Sequence, residues 1–254
     1  MPMDNIVDLD ITDGIATITL DSQANRNALS RRLLTELHDA LDQVEATDPR
    51  AIVLTHRGAA FCAGADLKER SDGGPIDSGP FVRALERLMD ASPPTIAAVN
   101  GAVRAGGIGL MASCDLVVVK DDTTFALTEV RIGVAPAIIS VPILRRVPAG
   151  RIASAMLTGE PFDAQEARAM GLVTHVTTDV PAAVDALCAG IRAGAPRAVA
   201  ETKRLLRRVP SLDRDTGFDE MQRLSDELFL SADGAEGMLA FAEKRPPRWA
   251  ATNR

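Results

Sequence analysis

Three glycine-bearing segments of this chain hold the residue types from which a reaction centre can be built. They are Phe61-Cys62-Ala63-Gly64-Ala65-Asp66-Leu67-Lys68-Glu69-Arg70, Val99-Asn100-Gly101-Ala102-Val103-Arg104-Ala105-Gly106-Gly107-Ile108-Gly109, and Thr128-Glu129-Val130-Arg131-Ile132-Gly133 with Pro136 close behind. Each follows a stretch that reads as a strand, and glycine at a strand's end leaves backbone N–H groups uncovered. Uncovered N–H groups are available donors, and Glu129 adds a carboxylate to the third segment. Taken singly, each segment is an ordinary turn, and a lone glutamate is ordinarily a solvated surface group. A shared site needs all three together, and their order and spacing allow it. Asp66 stands beside the first loop, but its short side chain is expected to bond N–H groups of its own turn.

Other chemistries find less support. Cys62, Cys114 and Cys188 are widely spaced with no C-x-x-C pair, and His38, His56 and His175 are scattered, so neither a disulfide framework nor a metal site is expected. No G-x-S-x-G is present and no histidine falls in the three loops, so a nucleophilic triad has no candidate. Gly107-Ile108-Gly109-Leu110-Met111-Ala112 does fit a dinucleotide fingerprint, with Asp121 and Asp122 beyond a later strand. The preceding strand ends at Asn100, however, and about two helical turns fit before Leu116, too few for a crossover helix. The match is read as a decoy.

Composition narrows the partners. The 254 residues carry a net charge of −7 and only 3% aromatic residues, which removes both the basic field and the stacking platforms that nucleic acids use. No run approaches 18 apolar residues, and the acidic start MPMDNIVDLD resembles no secretory signal, so a cytoplasmic protein without a membrane span is expected.

The elements that must position the loops are legible in part. Residues 6–11 and 15–20 alternate with period two around Asp13-Gly14 and read as a hairpin. Leu33, Leu34, Leu37, Leu41 and Val44 fall at helical spacing after Ser30. Buried strands are expected at 51–55, 95–100 and 116–119, and a helix near 82–89. This alternation argues for an α/β core with mostly parallel pairing. After Ala137 the chain reads as mainly helical. Asp163 and Gly171 look like the N-cap and C-cap of a helix over 164–170, and a short strand is expected at 172–176. Helical pieces at 203–208, 218–230 and 235–244 close the chain, with the 203–208 cations taken as a solvated face. A boundary is placed near residue 195, giving a core over 1–195 and a helical region over 196–254.

FCAGADLKER, AAVNGAVRAGGIGLMASCD and LTEVRIGVAPA, preceded by DGIATITLDSQANRNALS and followed by EGMLAFAEKRPPRW, resemble the successive signature segments of the crotonase superfamily, the enoyl-CoA hydratases and isomerases. The resemblance implies an α/β spiral of repeated ββα units with a helical C-terminal region used in assembly as a homotrimer or dimer of trimers. It implies an acyl-CoA or enoyl-CoA substrate, with coenzyme A part of that substrate and no further cofactor. The oxyanion donors would be the N–H groups of Ala63 and Gly106. Glu129 would match the second of the family's two glutamates, while Gly109 stands where the first would be. A glycine there would leave room for a bulkier acyl group or an ordered water.

The activity so implied is hydration of a 2-enoyl-CoA, branched and glutaconyl-type thioesters included, by a single glutamate. Δ3-Δ2-enoyl-CoA isomerisation is the alternative, and a non-catalytic acyl-CoA-binding scaffold is a reading of another class. Substrate contacts would come from Arg26, Ala28, Gly64, Ala65, Asp66, Leu67 and Gly109. Lys68 is a weaker candidate. Phe241 and Lys244, at i and i+3 on one helix face, would reach the adenine end. The loop near 71–80 and the C-terminal helices would set the acyl pocket's length.

Overall fold

The computed structural model describes residues 5–71 and 77–250. It begins with β1 (Val7–Thr12) and β2 (Ile15–Leu20), paired antiparallel with Leu9 opposite Ile18. Asp13 and Gly14 between them both have positive φ, +51° and +73°, the backbone twist that a two-residue hairpin requires. Ser30 then caps α1 (Arg31–Thr47), its side chain accepting the Leu33 N–H, and the leucines anticipated at helical spacing are the buried ones.

From here the chain winds. Each turn supplies one strand to a large sheet and one short strand to a smaller sheet, with helix in between. The turns are β3 (Ala51–His56) and β4 (Ala60–Cys62), followed by α2 (Leu67–Ser71) and α3 (Gly79–Asp90). Next come β5 (Thr95–Val99), β6 (Ala102–Arg104) and α4 (Gly106–Ala112), then β7 (Leu116–Lys120) and β8 (Thr124–Ala126). After α5 (Ala137–Arg146) and α6 (Ala149–Thr158) follow β9 (Phe162–Asp163), α7 (Ala164–Met170), β10 (His175–Thr177) and α8 (Val180–Ala193). The sheets run β1-β2-β3-β5-β7-β10 and β4-β6-β8-β9, parallel from β2 through β10 in the first and from β4 to β8 in the second. This is the expected α/β spiral of ββα units.

The main core lies between the sheets and the helices, around Phe61, Val103, Ile108, Leu110 and Phe125. A second cluster forms where Val180, Val184 and Cys188 of α8 cover Val53, Ile96 and Val118. Asp163 and Glu166 form a reciprocal capping box on α7, and Gly171 ends it at φ +92°, as the sequence leads one to expect. The strand expected at 172–176 is displaced. Leu172 and Val173 are buried in the connection, and β10 starts only at His175.

Three helices complete the chain: α9 (Pro196–Arg208), α10 (Arg214–Leu230) and α11 (Ala232–Glu243). The first of them, α9, is fastened to the core by a buried lysine. Lys203 of α9 is only 5% exposed and ion-pairs with Asp115 at 2.8 Å, while its Nζ donates to the Pro93 carbonyl. At Lys203 this corrects the expectation of a solvated face over 203–208, whereas Arg204 and Arg208 are exposed as expected. A helix that docks must bury one side, and here that side includes a lysine because Asp115 waits beneath it. Burial lowers the Lys203 pKa and the Asp115 charge opposes that shift. Arg50 donates to the carbonyls of Ile191, Arg192, Gly194 and Trp249, tying the end of α8 to the chain's last turn.

Removing Asp115 leaves a buried ammonium without its counter-charge. Asp115→Ala is expected to cost about 3–5 kcal/mol of unfolding free energy, against a smaller loss for Lys203→Met, both read from urea melts. Equal losses would show that the charge at Lys203 is relieved by some other route.

Candidate active site

Parallel pairing brings the three loops together. Ala60 lies opposite Ala102 and Cys62 opposite Val103, while Val103 lies opposite Phe125 and Arg104 opposite Ala126. Since β4, β6 and β8 are neighbours running in one direction, about 4.8 Å apart, their C-terminal ends share one edge. Ala63–Ala65, Ala105–Gly106 and Leu127–Glu129 emerge there side by side.

The first loop departs from expectation at one atom. The Ala63 N–H donates to the Arg26 carbonyl at 3.0 Å, and the Gly64 N–H points at Cys62 Sγ, 3.4 Å away. Leu29 donates its N–H to the Gly64 carbonyl at 2.8 Å and forms an isolated parallel bridge with Ala65. In a parallel bridge the bonds from Leu29 go to the residues flanking Ala65, so the N–H of Ala65 itself faces the other way. Among the described residues it has no acceptor. Ala63, expected as a donor, is therefore spent inside the protein, because an N–H serves one acceptor well. Ala65, two residues on, carries the free amide. Asp66 behaves as anticipated: Oδ1 accepts from the N–H groups of Lys68 and Glu69 at the start of α2, and Oδ2 accepts from Asn25 Nδ2 at 3.1 Å.

The second loop supplies the partner. Gly106 is the first residue of α4, so its N–H has no acceptor within the helix. Ala105 before it donates to the Ala126 carbonyl at 2.9 Å, locking the loop to the end of β8. Gly64, at φ +89°, and Gly106 approach so closely that a Cβ on Gly64 would stand 3.4 Å from the Gly106 nitrogen. A Cβ on Gly106 would meet Leu29 Cδ1 at 2.8 Å. At Gly64 the left-handed backbone disfavours any larger residue, while at Gly106 a larger residue would have to displace the Leu29 side chain.

Glu129 opens a single 3-10 turn, Glu129–Ile132, just beyond β8. The residue is half-buried, and its Oε2 is buried with no hydrogen-bond partner among the described residues. Burial raises its pKa above the ordinary glutamate value, opposed in part by its own backbone N–H. An unsatisfied buried carboxylate oxygen is costly, which is a feature expected where a group is kept ready for proton transfer.

Gly109 lies one helical turn beyond Gly106, and the room expected beside it is absent. A Cβ on Gly109 would lie 2.7 Å from Ile139 Cβ and closer still to Ile139 Cγ2. Ile139, in α5, is 3% exposed and packs in the main core. An aliphatic side chain thus stands against the position where the resemblance implies a second carboxylate, leaving no room for a Cβ there without a shift.

The matching family model is described as enoyl-CoA hydratase/isomerase and covers residues 10–252. The chain belongs to that family. With it the chain joins the crotonase superfamily. An enoyl-CoA hydratase of Mycobacterium tuberculosis, EchA19, is 34% identical over 91% of this chain and 91% of its own length. The carnitinyl-CoA dehydratase of Proteus mirabilis is 33% identical over 79% and 81%. Among solved structures, an enoyl-CoA hydratase of Mycobacterium smegmatis superposes with a TM-score of 0.90 at 30% identity, covering 97% of this chain and 99% of that one.

Within this hydratase/isomerase chain the remaining candidates fall unevenly. The Arg26 side chain is exposed beside the first loop, Ala28 is buried, and Leu67 is exposed at the start of α2. Phe241 is 88% exposed on α11, but Lys244 lies past the helix as its left-handed cap, φ +55°, so the two do not share a helical face as expected. The helix stops at Glu243 because Lys244 donates its N–H to the Phe241 carbonyl in a closing turn. Of the loop expected to shape the acyl pocket, residues 72–76 lie outside the described residues. Asn27, Leu29 and Ile139 escaped sequence reasoning, since an amide and two aliphatic residues carry no acid–base signal.

Gly109→Ala is expected to cost about 1–3 kcal/mol in urea melts, because Ile139 must give way. Gly109→Glu alone should raise no activity. A stable, more active Gly109→Glu would show that Ile139 moves freely.

Proposed function

We propose that this protein hydrates the 2,3 double bond of an enoyl-CoA thioester, with Glu129 as the only acid–base side chain. The observation that carries the reading is the buried Oε2 of Glu129, which has no partner among the described residues, beside two loops whose Ala65 and Gly106 amides have no acceptor among them either. The thioester oxygen would lie between those two N–H groups, which stabilise the charge that grows on it as C2 gains enolate character. Glu129 would take a proton from water while the oxygen of that water bonds to C3. The proton then returns to C2 from the same carboxyl group, so the acid and base roles balance. Coenzyme A belongs to the substrate, and Arg26, Lys68, Phe241 and Lys244 are the residues we assign to its anionic and adenine portions. A branched or glutaconyl acyl group remains within the reading.

A specific observation supports a second chemistry. Ile139 offers an activated water no polar anchor at the place of the missing carboxylate. A lone Glu129 could instead carry one proton between C2 and C4 and shift a 3-enoyl double bond into conjugation. The apolar side chains left exposed on α10 and α11, Phe218, Phe229, Leu230 and Phe241, support assembly as a homotrimer or dimer of trimers.

A panel of straight, branched and glutaconyl enoyl-CoA thioesters separates these readings. Hydration bleaches the conjugated-enoyl absorbance, isomerisation of 3-enoyl substrates raises it, and acyl-CoA binding with neither change would favour a scaffold. Glu129→Gln should lower kcat by about 10²–10⁴-fold with acyl-CoA affinity retained. Because the carboxyl pKa is raised in the folded protein, stability is fully present below the unfolded value near 4.5 and is lost as pH rises through the folded value. Glu129→Gln is therefore expected to melt higher than wild type at pH 8, with a smaller gap at pH 4. Activity should fall on acidification with a midpoint above 4.5, and a midpoint at or below that value would count against Glu129 as the base.

A further inference from the structure

The loop between β2 and α1, whose one carboxylate, Asp21, is paired with Arg57, touches both donor loops. Arg26 and Asn27 are consecutive left-handed residues, φ +57° and +55°, a backbone that persists only where its surroundings hold it. The Asn27 side chain does the holding. It is fully buried, its Oδ1 accepts the Ser22 N–H at 2.7 Å, and its Nδ2 donates to the carbonyls of Arg57 at 3.1 Å and Ala60 at 2.8 Å. Ala60 is the first residue of β4, so Asn27 fastens this loop to the start of the strand whose far end carries Ala65.

The held segment then acts on both amides. The Arg26 carbonyl takes the Ala63 N–H, and Leu29 donates to Gly64 while bridging Ala65, which turns the Ala65 N–H outward. The Leu29 side chain reaches the second loop, its Cδ1 resting where a Gly106 Cβ would be.

We propose that Asn27 is a positioning residue of the oxyanion site, holding Arg26–Leu29 as a splint that sets the Ala65 and Gly106 amides in one fixed relation. This rests on the reading of those amides as the thioester's donors. A purely structural amide would affect stability and leave the polarisation of a bound thioester untouched, so that polarisation is the quantity to measure.

The full chain is titrated with butyryl-CoA carrying ¹³C at the thioester carbonyl, and kcat and KM are measured on whichever thioester of the panel it turns over. Asn27→Asp keeps the residue's size and its tolerance of left-handed backbone but sets an oxygen against the Arg57 and Ala60 carbonyls. Leu29→Ala keeps the backbone bonds and removes the side chain from Gly106. In wild type the carbonyl resonance is expected to move downfield on binding. In both variants that shift should fall by about half or more and kcat by about tenfold or more, with Kd for butyryl-CoA and KM within about threefold.

An undiminished shift and kcat in the folded variants, even with a lower melting temperature, overturns the splint. Binding without any shift in wild type overturns the donor reading and the splint with it. If Asn27→Asp does not fold, Leu29→Ala decides alone.

Discussion

β4, β6 and β8 are each three residues long, and the parallel hydrogen bonding between them is the constraint on which the site depends. None of these strands has enough apolar surface to stand alone, so their alignment is borrowed from the larger sheet that each continues. β3 leads to β4, β5 to β6 and β7 to β8. Any change of register between β3, β5 and β7 would carry the loops apart together. The bond from Ala105 to Ala126 and the close passage of Gly64 by Gly106 are the final adjustments of an alignment already made.

Two uncharged N–H groups are well suited to such a place. Preorganised amides cost nothing to reorient during a reaction and are strongest where water is absent. The carboxylate beside them is the costly member, since Glu129 gives up solvation without gaining a partner for Oε2. On the other side of the site the fold has chosen the opposite course. Gly109 surrenders its side chain so that Ile139 can pack against α4, trading a polar group for dense aliphatic contact. The acid–base role we assign therefore falls to Glu129, with glycine at position 109.

The acidity of the whole chain is no obstacle to an anionic ligand. Several of the arginines and lysines are committed to structure: Lys203 on the buried side of α9, Arg50 at the end of α8, and Arg245 on the buried Glu236, whose carboxyl is held down to about 2 chiefly by Arg245. What meets a ligand is local, and net charge does not record it.

Much of the large sheet was legible, because β1, β2, β3, β5 and β7 are long enough to show alternation or a continuous apolar run, and α1 long enough to show its helical period. β4, β6, β8 and β9 were not, since two or three residues display no period. Both glycine loops and Glu129 were visible as residue types in a telling order. Their roles at atomic level were not: Ala63 and Ala65 are the same residue two positions apart, and only the pairing with Arg26 and Leu29 decides which amide is spent. By itself, then, the sequence determined the alternation of strands and helices, the family and the glycine at position 109. Tertiary structure alone decided which N–H stays free, what fills the space at Gly109 and which lysine is buried. Those depend on partners far away along the chain, and a hydrogen bond or a contact is settled by whatever reaches the atom first.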